Sequence, residues 1–192
     1  MSKNRRLVGV SAAVALGVGL ALGSTPATAA DSSASSVRKA VAVPGMAPAG
    51  AELTAVYLDS AGRAIPTAKG ARQAGLAALG CTPYSGKDDP HYSKGDVSGH
   101  GWWDKGDCDN DRANVYNCLY EYYTDATWRQ KACSKKKKLK PGGGSSNRTV
   151  ARAECDDRQL TSWRNHVDVD VTGEVDTGEK PYNQANVECR VY

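Results

Sequence analysis

Hydrophobic and polar positions are most informative over residues 113–134, ANVYNCLYEYYTDATWRQKACS. A run rich in Tyr and Val meets the turn signal Thr124-Asp125-Ala126-Thr127, and a second run starts at Trp128, which predicts a β-hairpin. Pairing Tyr123 with Trp128 and counting back along both strands sets Cys118 opposite Cys133. Directly opposed residues of an antiparallel pair lie roughly 4.5–5.5 Å apart, within reach of a disulfide. This register sends Val115, Leu119, Tyr123, Trp128 and Ala132 to one face, the better core face. It sends Tyr116, Cys118, Tyr120, Tyr122, Arg129, Lys131 and Cys133 to the other. That second face is either a binding face, because Tyr and Arg anchor interfaces, or a surface covered by a second sheet or by the chain's own N-terminal arm.

Further along, RTVARAEC (148–155) alternates as a strand, although Val150 and Ala153 cannot share its face. NHVDVDVTG carries the cleanest alternation, with Val167, Val169 and Val171 on one side and His166, Asp168 and Asp170 on the other. NVECRVY closes the chain as a last strand. Upstream, 96–103 reads as one strand in a loop-rich stretch, and its neighbours Trp102 and Trp103 must face opposite sides. TAVYLD, then Ser60-Ala61-Gly62-Arg63 and AIPT, fits a small hairpin, and 68–79 fits a weak helix ended by Gly80. About five strands, many turns and no strong helix predict an all-β fold, a small disulfide-stapled β-sandwich or barrel behind an extended arm.

The N-terminus changes the organisation. Lys3, Arg5 and Arg6 precede an apolar stretch from Leu7 to Leu22, and Ala27-Thr28-Ala29 fits a small-x-small cleavage pattern. Residues 1–30 therefore read as a secretory signal peptide, with Arg5-Arg6 leaving open a twin-arginine route. The apolar stretch is shorter than the ~20 residues a membrane span needs. Residues 31–80 read as a flexible arm, rich in Ala, Ser, Pro and Gly at its start, and 81–192 as the stapled domain. A partner-binding arm, a spacer and a removable pro-segment are the alternatives for 31–80.

Without Lys3, Arg5 and Arg6, the 25 basic residues fall to 22 against 21 acidic ones. A mature chain near neutrality gives no support for nucleic acid as a partner. Cys81, Cys108, Cys118, Cys133, Cys155 and Cys189 all follow residue 80, and an even count in an exported chain implies disulfides. The hairpin register supports Cys118–Cys133, and Cys108–Cys155 with Cys81–Cys189 complete the expected set.

Candidate chemistry is sparse. Asp107, Asp109 and Asp111 start like a calcium loop, but Arg112 and Cys118 stand where Gly and Glu are needed. A zinc site would need the folded chain to gather His91, His100 and His166 with carboxylates. His166 beside Asp168 and Asp170 is either an acid–base group or a solvated strand face. No GxSxG, HExxH or P-loop occurs. The expectation is no enzyme, no cofactor and no metal. The KKKKLK run at 135–140 either binds anionic polymers or blunts an edge strand.

From Pro90-His91-Tyr92-Ser93 through Gly99-His100-Gly101-Trp102-Trp103, the hairpin and TSWRNHVDVDVTGE, the chain resembles small secreted proteins of filamentous actinobacteria. In size, export signal, N-terminal arm and lack of catalytic residues it is similar to the connector subunits of umbrella toxin particles, secreted antibacterial assemblies. That resemblance implies a non-enzymatic adaptor linking a stalk subunit to a lectin-like subunit, with the arm docking on the latter. The residues themselves imply an extracellular binding protein whose contact groups are Tyr116, Tyr120, Tyr122, Arg129 and Lys131, or an open strand edge. The rival is a stand-alone effector such as a bacteriocin-like toxin or a protease inhibitor, with 81–108 as its candidate loop.

Overall fold

The hairpin forms, and its strands β6 (Ala113–Tyr122) and β7 (Thr127–Cys133) lie at the heart of the fold. A computed structural model describes residues 41–51, 55–66, 80–175 and 180–192. The signal peptide, the arm before residue 41 and the helix expected over 68–79 lie outside the described residues. Cys118 pairs with Cys133 and Leu119 with Ala132, as the alternation predicts, and then the register slips, so that Tyr120 faces Gln130 and Tyr122 faces Trp128. Lys131 is the extra residue, a β-bulge.

The turn explains the slip. Ala126 N–H donates to Tyr123 O and Tyr123 N–H to Thr127 O, while Ala126 adopts a φ of 63°. This is a three-residue loop ending in a left-handed residue, not the four-residue turn read from the sequence. The Asp125 carboxylate braces it by accepting from Thr127 N–H (3.2 Å) and Thr127 Oγ1 (2.6 Å).

Eight further strand pairings build two sheets around this pair, with β1 (Val56–Leu58), β2 (Ala64–Ile65), β8 (Lys137–Leu139), β10 (Asp157–Val171) and β11 (Tyr182–Arg190) completing the larger one. Its order is β11-β10-β6-β7-β1-β2, and β8 also pairs with β6. The smaller sheet has β5 (Asp96–Asp104) flanked by β9 (Thr149–Glu154) on one side and by β3 (Tyr84–Lys87) and β4 (His91–Ser93) on the other. The result is all-β and sandwich-like, with no helix among the described residues and no closed barrel. The 96–103 strand, the 56–65 hairpin, the 149–154 strand and the Val strand are all present, and in β9 Thr149, Ala151 and Ala153 point inward while Val150 points out.

The core lies between the sheets in two apolar clusters. One holds Trp103, Val115, Leu139, Val167, Val169 and Val171, and the other Val97, Leu119, Trp163 and Val187. Between them lies a polar layer. Asn117 Nδ2 donates to Asn165 Oδ1 (2.9 Å) and to Gly99 O (2.9 Å), and Thr149 Oγ1 donates to Asn117 Oδ1 (2.8 Å). All three side chains are fully buried, so their satisfied polar atoms are what make the layer tolerable. Gly99 is required by contact: a Cβ there would lie 2.7 Å from Asn165 Cγ.

All six cysteines are oxidised, as expected, but two pairings differ from expectation. Cys118–Cys133 forms, whereas Cys81 bonds Cys108 and Cys155 bonds Cys189, in place of Cys108–Cys155 and Cys81–Cys189. The topology gives the reason. Cys155 follows β9 where the chain turns into β10, beside the antiparallel end of β11 that carries Cys189, while Cys81 and Cys108 bracket the unit formed by β3, β4 and β5.

Of the residues read from the sequence as part of the arm, 55–66 supply β1 and β2 to the larger sheet, and 41–51 lie against it. β1 runs parallel to β7, with Tyr57 facing Trp128. Pro44 bridges Tyr123, Gly45 N–H donates to Tyr122 O, and Ser162 N–H donates to Gly45 O. An aromatic sheet face left open would hold apolar area in water, and Tyr57, Ala47, Ala51, Ala55 and Ile65 cover it.

Candidate functional site

The bulge decides where the candidate contact residues go. Tyr120 and Tyr122 point to the outer face of the larger sheet and are buried there with Tyr57, Cys118 and Trp128. Trp128, expected on the core face, joins them because Lys131 shifts the register by one residue. Tyr116 is half-buried, and its hydroxyl accepts from Lys180 Nζ (3.0 Å). Arg129 and Lys131 fall on the opposite side, around Tyr123. The Arg129 guanidinium stacks 3.8 Å from that ring and pairs with Asp125 (2.8 Å), and Lys131 Nζ donates to Tyr123 Oη (2.6 Å). The structure therefore does not bring the three tyrosines and the two cations into one surface.

What the outer face encloses was not legible in sequence. Arg164 is 1% exposed, with its guanidinium between the Trp128 ring (3.9 Å) and the Tyr182 ring (4.2 Å). Nε donates to Gln184 Oε1 (2.8 Å) and Nη1 to Tyr57 Oη (2.5 Å), and among the described residues no carboxylate pairs with it. Aromatic faces supply the counter-field instead. His166 packs in the same cluster against Tyr57, Tyr120 and Tyr182. Burial, with the Arg164 charge close by, drives its pKa down to about 3, so the ring is neutral. Asp168 pairs with Lys180 (3.3 Å) and Asp170 with Lys136 (2.8 Å).

Two other places present chemistry to solvent. The first is β11, whose nine residues pair with β10 alone among the described strands. Ser162 faces Asn186, yet its N–H turns away to Gly45. This pair is thus a non-hydrogen-bonded one, and the backbone groups of Gln184, Asn186 and Glu188 point to the open edge. At the far end of the strand Arg158 stacks on Tyr92 (3.9 Å) and Arg190 on Tyr192 (4.5 Å), beside exposed Leu160. The Cys155–Cys189 bridge ties this end down.

The second is a gap in the smaller sheet. β5 pairs with β4 up to Ser98 and with β3 from Gly101, so Gly99 and His100 face the turn between those strands. Asp88 fills the gap: its Oδ1 accepts from His100 N–H (2.6 Å) and its Oδ2 lies 2.5 Å from His100 Nδ1. His91 stacks on His100 with ring centroids 5.6 Å apart, and its Nδ1 lies 4.0 Å from Asp88 Oδ2. Two of the three histidines thus meet one carboxylate, while His166 lies elsewhere. A second grouping, Cys81, Cys108 and Glu174, has its sulfurs committed to a disulfide.

The candidate inhibitor loop, 81–108, is closed by its own disulfide and folded into β3, β4 and β5. In β8, Lys137 and Lys138 are exposed and Leu139 is buried, so the lysine run does border a strand paired on one side, to β6. No helix among the described residues is long and apolar enough to cross a membrane. In comparisons with known proteins, no family model, curated protein or solved structure matches this chain.

Proposed function

We propose that this protein is a non-enzymatic extracellular adaptor, a structural subunit that holds protein partners by strand addition at β11. The observation that carries the reading is the nine-residue edge paired on one side only. An extended partner segment would take the outward backbone groups of Gln184, Asn186 and Glu188, and main-chain hydrogen bonds would supply the affinity. Tyr92, Arg158, Arg190 and Tyr192 stand at one end of that edge, and Tyr and Arg are the residues that most often anchor interfaces. Their charges are balanced internally, Arg158 by Glu188 and Arg190 by Asp157, so the partner strand is recognised by shape and backbone rather than by net charge. The disulfide at Cys189 holds the edge rigid before binding, which lowers the ordering cost.

Secretion is supported by the export signal and the three disulfides. On the resemblance to umbrella toxin connectors, the partners are a stalk subunit and a lectin-like subunit of a secreted antibacterial particle. The described arm residues cover the chain's own aromatic face, so β11 rather than that face is the contact surface. The test is capture from culture medium at physiological salt with tagged mature protein and with its Asn186→Pro variant. Proline removes an outward N–H and leaves the β10 ladder intact. Specific co-purifying proteins lost with Asn186→Pro support the reading; identical capture by both forms, or recovery of bait alone, overturns it.

A further inference from the structure

We propose that Asp88, His91 and His100 form a binding site for a divalent transition metal of the zinc class, with one coordination position open to solvent. One ligand atom from each of the three residues lies within 4.8 Å of the other two, and the proposed set is Asp88 Oδ2 with the Nδ1 atoms of His91 and His100, both of which approach that oxygen. With every cysteine oxidised, imidazole and carboxylate are the donors left for such an ion, and two imidazoles with one carboxylate are a zinc-type set.

The spacing fits an ion at the centre. Zinc bonds of roughly 2.0–2.1 Å place tetrahedral ligand atoms about 3.3 Å apart. The two distances to Asp88 Oδ2, 2.5 Å from His100 and 4.0 Å from His91, bracket that value. Side-chain rotation of half-exposed His91 closes the longer one; among the described residues its ring otherwise stacks on His100 and contacts Asp89 O (2.9 Å). Both rings now direct Nδ1 at an oxygen, so each carries its proton there; on binding, each proton moves to Nε2 and frees Nδ1 for the metal.

The outer support is already in place. Asp88 Oδ1 is fixed by His100 N–H, and fully buried Asn165 donates from Nδ2 to Asp88 O (3.1 Å) and His100 O (2.8 Å). Asn165 is in turn held by Asn117, and Asn117 by Thr149. Such hydrogen bonds behind the ligands orient them before the ion arrives. Exposure runs outward from there, with the His100 side chain at 13%, Asp88 at 32% and His91 at 45%. The ion would enter from the His91 side and keep water as its fourth ligand. It would clip the turn before β4 to β5, closing the gap in the smaller sheet.

The experiment uses untagged full-length secreted protein and zinc ions alone, followed by titration calorimetry and by NMR of the histidine rings. With only three histidines in the chain, each ring reports separately. The expected result is one ion per chain, with His91 and His100 signals shifting and His166 unmoved. His91→Ala, at an exposed position, should keep the fold and weaken binding more than about tenfold. Asp88→Asn should do the same, with circular dichroism checking its fold. Absent saturable binding, an unchanged affinity in His91→Ala, or a response at His166 overturns the site. Because the measurement is made on the isolated protein, its failure leaves the adaptor reading standing, and the reverse holds too.

Discussion

Replacing Glu121 by glutamine should tilt the pH profile of stability in a direction the structure dictates. Glu121 is fully buried on the inner face of β6, accepting from Thr161 Oγ1 (3.0 Å) and Val191 N–H (3.1 Å) with Lys131 Nζ 3.7 Å away. Desolvation outweighs these partners and pushes its carboxyl up to about 7. A carboxyl raised from an ordinary 4.5 leaves the fold unpenalised below that pH and costs stability progressively up to about 7, some 3 kcal/mol in total at about 1.4 kcal/mol per unit. His166 acts in the opposite sense. Its pKa is depressed from 6.5 to about 3, so its stabilising contribution is complete above 6.5 and lost as pH falls toward 3.

Between pH 4.5 and 6.5 the two slopes are equal and opposite. The unfolded chain binds a proton at His166 that the native state refuses, and the native state binds one at Glu121 that the unfolded chain refuses. The wild type should be flat there and lose about 2 kcal/mol between pH 4.5 and 3 from His166 alone. Glu121→Gln keeps an oxygen for Thr161 and Val191 and removes one slope. Urea unfolding followed by tryptophan fluorescence at each pH should show the variant gaining about 3 kcal/mol on the wild type between pH 4 and 8. Exposed carboxylates such as Asp59 and Asp157 titrate alike in both proteins and cancel in the difference. Parallel curves across pH 4.5–7 would refute the reasoning.

Three further outcomes follow from the packing. Tyr57→Phe removes an acceptor from the buried Arg164 guanidinium and should cost about 1–3 kcal/mol in chemical denaturation; in an Arg164→Met background the cost should largely vanish. Gly99→Ala places a Cβ against Asn165 and should lower stability by about 1–3 kcal/mol, read as a reduced urea midpoint at unchanged m-value. Replacing Cys118 and Cys133 together by alanine opens a link across 15 residues and should cost roughly 3 kcal/mol, measured in the same way.

Much of the fold was legible because period-two alternation reports which residues share a face. Val167, Val169 and Val171 read correctly, as did the opposition of Cys118 and Cys133. The bulge at Lys131 was not legible. It follows from a left-handed Ala126, and alanine carries no signal for that conformation. One misplaced residue then sent Trp128 to the wrong face and combined Arg129 and Lys131 with tyrosines they do not meet. The two wrong disulfide pairings came from strand order, which alternation does not encode. Arg164 gave no hint of burial, since an arginine in a strand ordinarily reads as exposed. The His91 and His100 encounter depended on the break between β3 and β4. The only trace of it in the chain is the Gly-His-Gly flank of His100, which lets another group approach closely.

The adaptor reading rests on β11, and amide hydrogen exchange tests it directly. With a captured partner added at saturating concentration, Gln184, Asn186 and Glu188 should change from fast exchange to strong protection, in alternation with neighbours already protected by β10. Protection confined to another surface, with these three amides exchanging as in the free protein, would contradict strand addition at β11.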